Sequence, residues 1–198
     1  MVENQRRRLL AGVARALAEQ GYAELTVKHV ISAAGVSRAT FYANFDNKRD
    51  CVLAAHRDVF ERLLALILRA CATEREWPQK VRAAIGAVFA FAEEAPDELR
   101  LLTLDALAAD LTIARQVIDS NAHLAALLRE GRRHTPLGRA LPDLTEEALI
   151  GAVSSVLGGR LMDAGEGTLK VLEPELLQLV LAPYIGVPEA ARIAASGT

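Results

Sequence analysis

The sequence predicts an all-α protein of about nine helices, and three observations support this prediction. Apolar residues recur at helical spacing through most of the 198 residues, as Leu10, Val13, Ala14 and Leu17 do in the first helix. No segment alternates convincingly between apolar and polar residues, and neither Asn-Gly nor Asp-Gly, the common hairpin turns, occurs. Residues that cap or end helices separate the apolar segments.

The first three predicted helices are short and closely spaced. Helix 1 ends at Gly21, and Thr26 can cap helix 2. Gly35 follows helix 2 immediately and can take the left-handed conformation that a tight turn between helices requires. Ser37 then caps helix 3, which we expect to extend through Asn44.

The remaining six helices are longer, and capping residues or prolines define their limits. Asn47 and Asp50 resemble a capping box at the start of a long helix 4. The expected ranges are 47–72 for helix 4, 77–94 for helix 5, from 96 for helix 6, 110–130 for helix 7, 145–165 for helix 8 and 174–186 for helix 9, with a basic, polar loop at 131–136.

The composition indicates a folded chain outside the membrane. Apolar residues make up 52% of the chain and charged residues 24%, which is typical of globular proteins and argues against disorder. The longest run without charge, Leu176–Pro188, has 13 residues, and a membrane span needs about 18 or more. No signal-peptide pattern follows the N-terminus. We therefore expect a cytoplasmic protein, associated with the nucleoid if it binds DNA, and no membrane partner.

The two cysteines predict neither a disulfide nor a metal site. Cys51 and Cys71 lie in one predicted helix, at a separation of about 30 Å given the helical rise. That distance is too long for a disulfide, and no second cysteine or paired histidine lies near either thiol. We expect two ordinary packed side chains and neither a metal nor a cofactor.

Charge is distributed unevenly along the chain. The net charge is -2, but residues 1–50 carry eight basic and five acidic side chains, and the rest of the chain is acidic. The acidic total excludes a protein that coats nucleic acid with its whole surface. A basic first quarter on an acidic body instead suggests a nucleic-acid-binding head.

The pattern in that basic quarter is typical of a helix-turn-helix, whose second helix enters the major groove of DNA. Arg38 and Thr40 lie on the first turn of helix 3, where side chains reach base edges. Ser37 offers a hydroxyl to phosphate oxygens, and Tyr42 and Asn44 should point outward toward phosphates or bases. Lys48, at the start of helix 4, is a further expected phosphate contact.

Residues 8–53 resemble the DNA-binding domain of the TetR family of bacterial transcriptional regulators. The matching residues are Gly21, Thr26, the string Ala34-Gly-Val-Ser-Arg-Ala-Thr-Phe-Tyr-Ala-Asn-Phe45, and Lys48. Gly12 departs from the family pattern, which usually has alanine there, and a glycine inside a helix costs about 1 kcal/mol. The expected DNA-binding residues are Thr26, Ser37, Arg38, Ala39, Thr40, Tyr42, Asn44 and Lys48.

The resemblance implies a homodimer with a DNA-binding head at residues 4–63, a helix-turn-helix at about 26–45, and a ligand-binding and dimerisation body at 64–188. Residues 189–198 are expected to be a flexible tail. Predicted helices 8 and 9 are the most apolar and should pair with their copies in a four-helix interface. The alternative is burial against the chain's own helices. The expected interface residues are Leu157, Leu161, Leu176, Leu177, Val180, Leu181 and Tyr184.

The body offers candidates for a ligand pocket but no clear pattern, and ordinary core packing is the alternative for each of them. They are mostly uncharged, which favours a small apolar or amphipathic effector. The candidates are Phe60, Trp77, Phe89, Phe91, His123 and Met162.

The expected function is that of a sequence-specific repressor that binds a palindromic operator and is released by its effector. The alternative is a helical ligand-binding or adaptor protein that does not bind an operator. No enzyme motif argues for catalysis, since the chain lacks a Gly-rich phosphate loop, a Gly-x-Ser-x-Gly elbow and a His-Glu-x-x-His helix.

Overall fold

A computed structural model describes residues 2–103, 110–163, 169 and 171–196. Within these ranges the chain is all-α, which confirms the predicted fold class, and no strand occurs. Short 3-10 turns at Arg129–Arg133 and Gly138–Ala140 lie between α7 and α8. The helices are α1 (Val2–Glu24), α2 (Val27–Ala34), α3 (Arg38–Tyr42), α4 (Lys48–Ala72), α5 (Trp77–Glu94), α6 (Pro96–Leu101), α7 (Leu111–Leu128), α8 (Thr145–Asp163), α9 (Leu172–Ile185) and α10 (Val187–Ala195).

The chain divides into two compact units, each made of two stretches of the sequence. The first unit contains the residues up to Arg62 and also those from Ala95 to Ile118, and the second contains Leu63–Glu94 and the residues from Asp119 onward. The first unit therefore includes α6, which packs against α1. Long-range packing of this kind leaves no local mark in the sequence.

The expected flexible tail is instead helix α10. Ala190, Ile193 and Ala194 are buried and belong to the same apolar cluster as α9. Their spacing of three and four residues places them on one helical face, so the tail has an apolar side that covers α9. Residues 197 and 198 lie outside the described part of the chain.

Helices α1 and α2 approach each other most closely at Gly12. A Cβ atom at this position would lie 2.7 Å from the Cβ of Ala34, closer than packed carbon atoms can come. The glycine that seemed costly in the sequence is therefore required by this crossing. Arg8 strengthens the same contact, because its guanidinium donates to the carbonyls of Ala34 and Gly35 at 3.1 and 2.7 Å.

Lys48 holds the start of α4 against the end of α1. Its ammonium donates to the carbonyls of Tyr22 and Leu25 at 3.0 and 2.8 Å and lies 4.7 Å from the centre of the Tyr22 ring. These carbonyls follow the break in α1 at Gly21, where φ is 68°. Carbonyls at a helix end lack helical partners, and a cation there is favourable.

A buried ion pair organises the second unit. The Glu146 side chain is fully buried and accepts from Arg132 Nε and Nη2 at 2.7 and 2.8 Å and from the Tyr184 hydroxyl at 2.8 Å. Burial alone would raise the pKa of Glu146, but the hydrogen bonds from Arg132 and Tyr184 outweigh it and lower the pKa to about 2.

The segment predicted as a basic, polar loop is part of this packed core. Gly131 is buried, and a Cβ there would lie 2.2 Å from a ring carbon of Trp77, so the segment lies flat on the indole. Trp77 in turn packs on Tyr184, with ring centroids 4.6 Å apart. The Arg132 guanidinium also donates to the carbonyls of Leu141 and Pro142, which draws the segment inward.

The Glu146→Gln variant tests the contribution of the ion pair. Removing one member of a buried pair leaves the other charge uncompensated, so we expect the free energy of unfolding at pH 7 to fall by about 3 kcal/mol. The folded-state pKa lies below the ordinary value of 4.5. The extra stability of the wild type is therefore present above pH 4.5 and is lost as the pH falls toward 2. Urea unfolding at several pH values measures this.

Glu147→Gln is the matched control, because Glu147 is the next residue along α8 and its side chain is 57% exposed. We expect its unfolding free energy to stay within about 0.5 kcal/mol of the wild type. Equal losses in the two variants, or a Glu146→Gln loss that does not shrink below pH 4.5, would contradict the assignment.

The Lys48→Met variant tests the fastening between α1 and α4. Methionine keeps much of the apolar stem but loses the donors, so we expect a loss of about 1–2 kcal/mol of unfolding free energy. Lys28→Met removes the same charge from an exposed position on α2 and should change stability by less than about 0.5 kcal/mol. Thermal unfolding compares the two, and similar melting temperatures would argue against a structural role for Lys48.

Candidate nucleic-acid interface

The caps predicted from the sequence form around the short helix α3. Thr26 Oγ1 accepts from the backbone N–H of His29 at 3.3 Å, and Ser37 Oγ accepts from that of Thr40 at 3.0 Å. The Ser37 and Thr40 hydroxyls are 2.9 Å apart. Gly35 lies between the two helices with φ of 60°, the left-handed conformation expected for the turn.

Helix α3 has one buried and one exposed face. Phe41 is fully buried and its ring lies 5.9 Å from that of Phe45, which is also buried. On the other face Ala39 is exposed, and the Arg38 guanidinium carbon lies 5.6 Å from the centre of the Tyr42 ring, within cation–π range. Tyr42 is 47% exposed. The buried phenylalanines thus hold a cation and a phenol toward solvent.

Two residues expected to point outward are placed differently. Asn44 is half-buried, and its amide nitrogen donates to the carbonyl of Thr40 at 2.8 Å. The ammonium of Lys48, expected to contact phosphate, lies on the α1 carbonyls described above. Both side chains satisfy carbonyl oxygens at helix ends, which need donors whether or not DNA is present.

The positive charge of the first fifty residues is partly committed within the chain. Arg8, Arg15 and Lys48 donate to backbone carbonyls, and Arg49 pairs with Asp110 at 3.5 Å. Among the described residues up to 50, three basic side chains are exposed and make no hydrogen bond or ion pair: Arg7, Lys28 and Arg38.

Sequence reasoning missed the relation between the first helix and α3. The Arg6 guanidinium lies 4.9 Å from the centre of the Phe45 ring, close after α3, and Arg7 beside it is exposed. The run of three arginines at residues 6–8 was the available signal. Their separation from α3 along the chain concealed this proximity.

Six of the seven predicted dimer residues are buried within the chain itself. Leu157 and Leu176 pack in a cluster with Phe89. Helix α9 contacts α5, α8 and the unexpected α10 in the same chain, while Leu179 on α9 stays 43% exposed. Leu161 is half-buried. The other four residues join the cluster around Trp77: Leu177, Val180, Leu181 and Tyr184.

A different surface, which we call the outer face of α8, is exposed. It consists of Ala148, Gly151, Ala152, Ser155 and Val156, spaced so that they lie on one side of the helix. A Cβ at Gly151 or at the nearby Gly159 would meet no atom within 4 Å. The described part of the chain therefore gives no packing reason for either glycine.

The pocket candidates differ in burial and in the unit to which they belong. Trp77, Phe89 and Phe91 are buried, whereas His123 and Met162 are exposed. Trp77 and Phe89 each belong to an apolar cluster. Phe60 lies in the first unit and the other candidates in the second.

Two other classes of site lack support in the described ranges. Histidine, cysteine and carboxylate side chains nowhere gather in a group of three that could hold a metal ion. None of the described helices combines the length and apolar character needed to cross a membrane.

Comparison with known proteins gives a family match within the first unit. Residues 9–55 match the family model described as bacterial regulatory proteins, tetR family. The HTH-type transcriptional activator FasR of Mycolicibacterium smegmatis is 26% identical over 115 residues, which cover 58% of this chain and 52% of the relative. The match thus spans about half the length of that curated protein.

Solved structures of similar fold cover most of the chain. The fatty acid degradation regulator FadR from Bacillus halodurans superposes with a TM-score of 0.77 at 20% identity, over 89% of this chain and 94% of its own. FadR from Bacillus subtilis, solved in complex with stearoyl-CoA, gives 0.71 at 15% identity, over 89% and 98%. A TetR-family regulator from Marinobacter aquaeolei also gives 0.71, at 19% identity over 92% and 96%. Residues 9–55 thus match the helix-turn-helix region of the tetR family of bacterial regulatory proteins, and over most of its length the chain has the fold of these solved regulators.

Proposed function

We propose that the protein is a repressor that binds a palindromic operator as a homodimer and is released by a small effector. The observation that carries this proposal is the exposed pair of Arg38 and Tyr42, held outward by the buried Phe41 beneath them. Both side chains are left exposed on this five-residue helix, and DNA offers partners to both groups. This role places the protein with the chromosome in the cytoplasm.

Each member of the pair has a distinct role in this proposal. Arg38 can donate two hydrogen bonds to a guanine in the major groove, which makes it the base-reading residue. The Tyr42 hydroxyl suits a phosphate oxygen, which fixes the position of α3 but carries no sequence information. Arg7 and Lys28 supply further exposed positive charge on the same unit.

The outer face of α8 is the proposed dimer contact. Six of the seven residues first expected there are buried in the chain's own core, which favours another surface for the second copy. Small residues on this face allow two helices to approach closely, and a two-fold axis pairs each face with its own copy. A dimer also sets the spacing of two α3 helices on half-sites about 34 Å apart.

The proposed effector is an apolar or amphipathic small molecule. Bacillus subtilis FadR was solved in complex with stearoyl-CoA, an amphipathic compound, and this supports an acyl-CoA as the first compound to test. FasR is named an activator, so activation is the alternative mode. Transcript levels of the target genes with and without the protein distinguish repression from activation.

Arg38→Ala and Tyr42→Phe test the docking of α3. We expect Arg38→Ala to relax the preference at one position of each half-site by about 1–3 kcal/mol. Tyr42→Phe should weaken binding to all sequences nearly equally, because a phosphate contact does not depend on the base. Genomic footprinting identifies the operator, and gel shifts against single-base operator variants measure both effects.

Arg192→Ala is the control, because Arg192 lies on α10 and pairs with Glu189 three residues earlier. It removes the same charge and should leave operator affinity unchanged. An Arg38→Ala variant with the wild-type base profile would remove Arg38 from base reading. If footprinting finds no genomic fragment that the wild-type protein binds, the adaptor alternative is favoured instead.

Gly151→Ala tests the dimer contact, because it should stabilise an isolated chain but weaken a dimer that uses this face. In an isolated chain the new methyl group meets nothing within 4 Å, so the variant should gain about 0.5–1 kcal/mol of helix stability. Where a second helix approaches at Gly151, the methyl group should instead raise the dimer dissociation constant. Analytical ultracentrifugation measures the dissociation constant, and thermal unfolding measures the stability.

Gly86→Ala is the matched control, since Gly86 lies within α5 and its new Cβ would make only an ordinary 3.5 Å contact with Glu173. We expect no change in its dimer dissociation constant. A second variant, Ala152→Glu, places a charge on the same face and should dissociate the dimer. Unchanged dimers in both outer-face variants would overturn this choice of surface.

A further inference from the structure

Two arginines of α1 donate hydrogen bonds to the C-terminal end of α2. Arg8 Nε donates to the carbonyl of Ala34 at 3.1 Å, and Arg8 Nη2 donates to that of Gly35 at 2.7 Å. Arg15 Nη2 donates to the carbonyl of Ala33 at 2.9 Å. Both arginines are exposed. Exposed arginines beside a helix-turn-helix suit DNA phosphates, but these two already have partners within the chain.

These hydrogen bonds complete the end of α2. The last four carbonyls of a helix lack helical partners. The backbone N–H groups that follow the helix donate to the carbonyls of Ile31 and Ser32, and the two arginines donate to the next two. Helix α2 has no basic residue in its own last turn. Helix α1 therefore supplies the cations that the C-terminus of a helix favours.

Arg8 and Arg15 lie on either side of Gly12 along one face of α1, because spacings of four and three residues place all three in a line. Gly12 is the crossing point of the two helices, where a Cβ would lie 2.7 Å from the Cβ of Ala34. The Arg8 guanidinium also covers the turn, since a Cβ at Gly35 would lie 2.8 Å from its Nη2. Close packing and charge-assisted hydrogen bonds thus fix the end of α2 on α1.

The turn that is held in this way determines the direction of α3. Two residues, Gly35 and Val36, separate α2 from Ser37, the N-cap of α3. Helix α3 has five residues, and Phe41 anchors it in the core. A shift of the α2 end would therefore displace the start of α3, where Arg38 lies, although Phe41 would stay buried.

We propose that Arg8 and Arg15 are positioning residues for base recognition. They hold α3 at the angle that brings Arg38 to a base edge, and neither of them contacts DNA. The proposal rests on the proposed function, in which Arg38 reads a base. Part of the sequence specificity then resides in the contact between α1 and α2.

A positioning residue and a phosphate contact have different signatures in DNA binding. Loss of a phosphate contact weakens binding to all sequences nearly equally and makes the salt dependence shallower, because fewer counterions are released. Loss of a positioning residue changes the preference among bases and leaves the number of released counterions the same. The two roles can therefore be separated by measuring base preference and salt dependence together.

Arg8→Met tests the proposal, because methionine keeps an apolar stem and removes the donors. Gel shifts measure its affinity for the operator, for single-base operator variants and for an unrelated duplex at several salt concentrations. At the position that Arg38 reads, we expect the base preference to fall by about 5-fold, comparable to the loss of one base contact. Binding to the unrelated duplex and the salt dependence should not change.

Gly12→Ala disturbs the same contact without a change of charge. Its methyl group would lie 2.7 Å from the Cβ and 2.8 Å from the backbone nitrogen of Ala34, so the end of α2 must shift. We expect the preference to fall at the same operator position as in Arg8→Met. When Arg38→Ala is already present, neither substitution should reduce that preference further, because the residue that reads the base is missing.

Arg7→Met is the matched control for charge. Arg7 precedes Arg8 on α1, is exposed, and makes no hydrogen bond or ion pair among the residues that the structure describes. We expect this variant to keep the wild-type base preference. If Arg8→Met also keeps it, and instead weakens binding to all sequences with a salt slope shallower by about one unit, Arg8 contacts a phosphate and the proposal is overturned.

Circular dichroism at the temperature of the binding measurements shows whether each variant is folded. If Arg8→Met is not, Arg15→Met takes its place, because it removes one hydrogen bond rather than two. A wild-type base preference in both Arg15→Met and Gly12→Ala then overturns the proposal alone. A wild-type chain that binds no operator overturns the proposed function and this proposal together.

Discussion

The buried carboxylate of Glu146 constrains most of the second unit. Its position is fixed by Arg132 from the segment after α7 and by Tyr184 of α9, and Tyr184 packs on Trp77 of α5. An ionised group can be buried only when charged and hydrogen-bonding partners surround it. The segment after α7, helix α8 and helix α9 must therefore meet at this carboxylate. The apolar clusters around this point then enclose α9. That enclosure explains why five residues of α9 first expected at a dimer interface are buried within the chain.

The first unit shows how little of a protein's positive charge is available to a partner. Arginine and lysine supply hydrogen-bond donors as well as charge, and helix ends contain carbonyls without helical partners. Arg8, Arg15 and Lys48 satisfy such carbonyls. The exposed cation on α3 is Arg38, which is aligned by Tyr42. The proposed reading of DNA therefore depends on the order of buried and exposed residues in α3 more than on the net charge of the unit.

Local signals were dependable wherever a short stretch of chain determines the structure. The caps at Thr26 and Ser37, the turn at Gly35 and the reciprocal cap between Asn47 and Asp50 all form as predicted. These features depend on residues within three or four positions of each other. Where the structure depends on packing between distant residues, it differs from the prediction. The residues expected to form a flexible tail form most of α10, and Gly131 and Thr135 of the expected polar loop are buried in the core.

The sequence by itself determined that the protein is all-α, that it carries a helix-turn-helix of the TetR type and that Arg38 and Tyr42 lie on its outer face. Helical periodicity, caps and a fixed-spacing motif are properties of neighbouring residues, so they can be read without a structure. Only the tertiary structure decided which apolar surfaces are covered, why Gly12 is required and where Lys48 donates its hydrogen bonds. It alone brought Arg8 and Gly35 together across 27 positions. Such contacts depend on which helices meet, and periodicity along one helix carries no information about its neighbour.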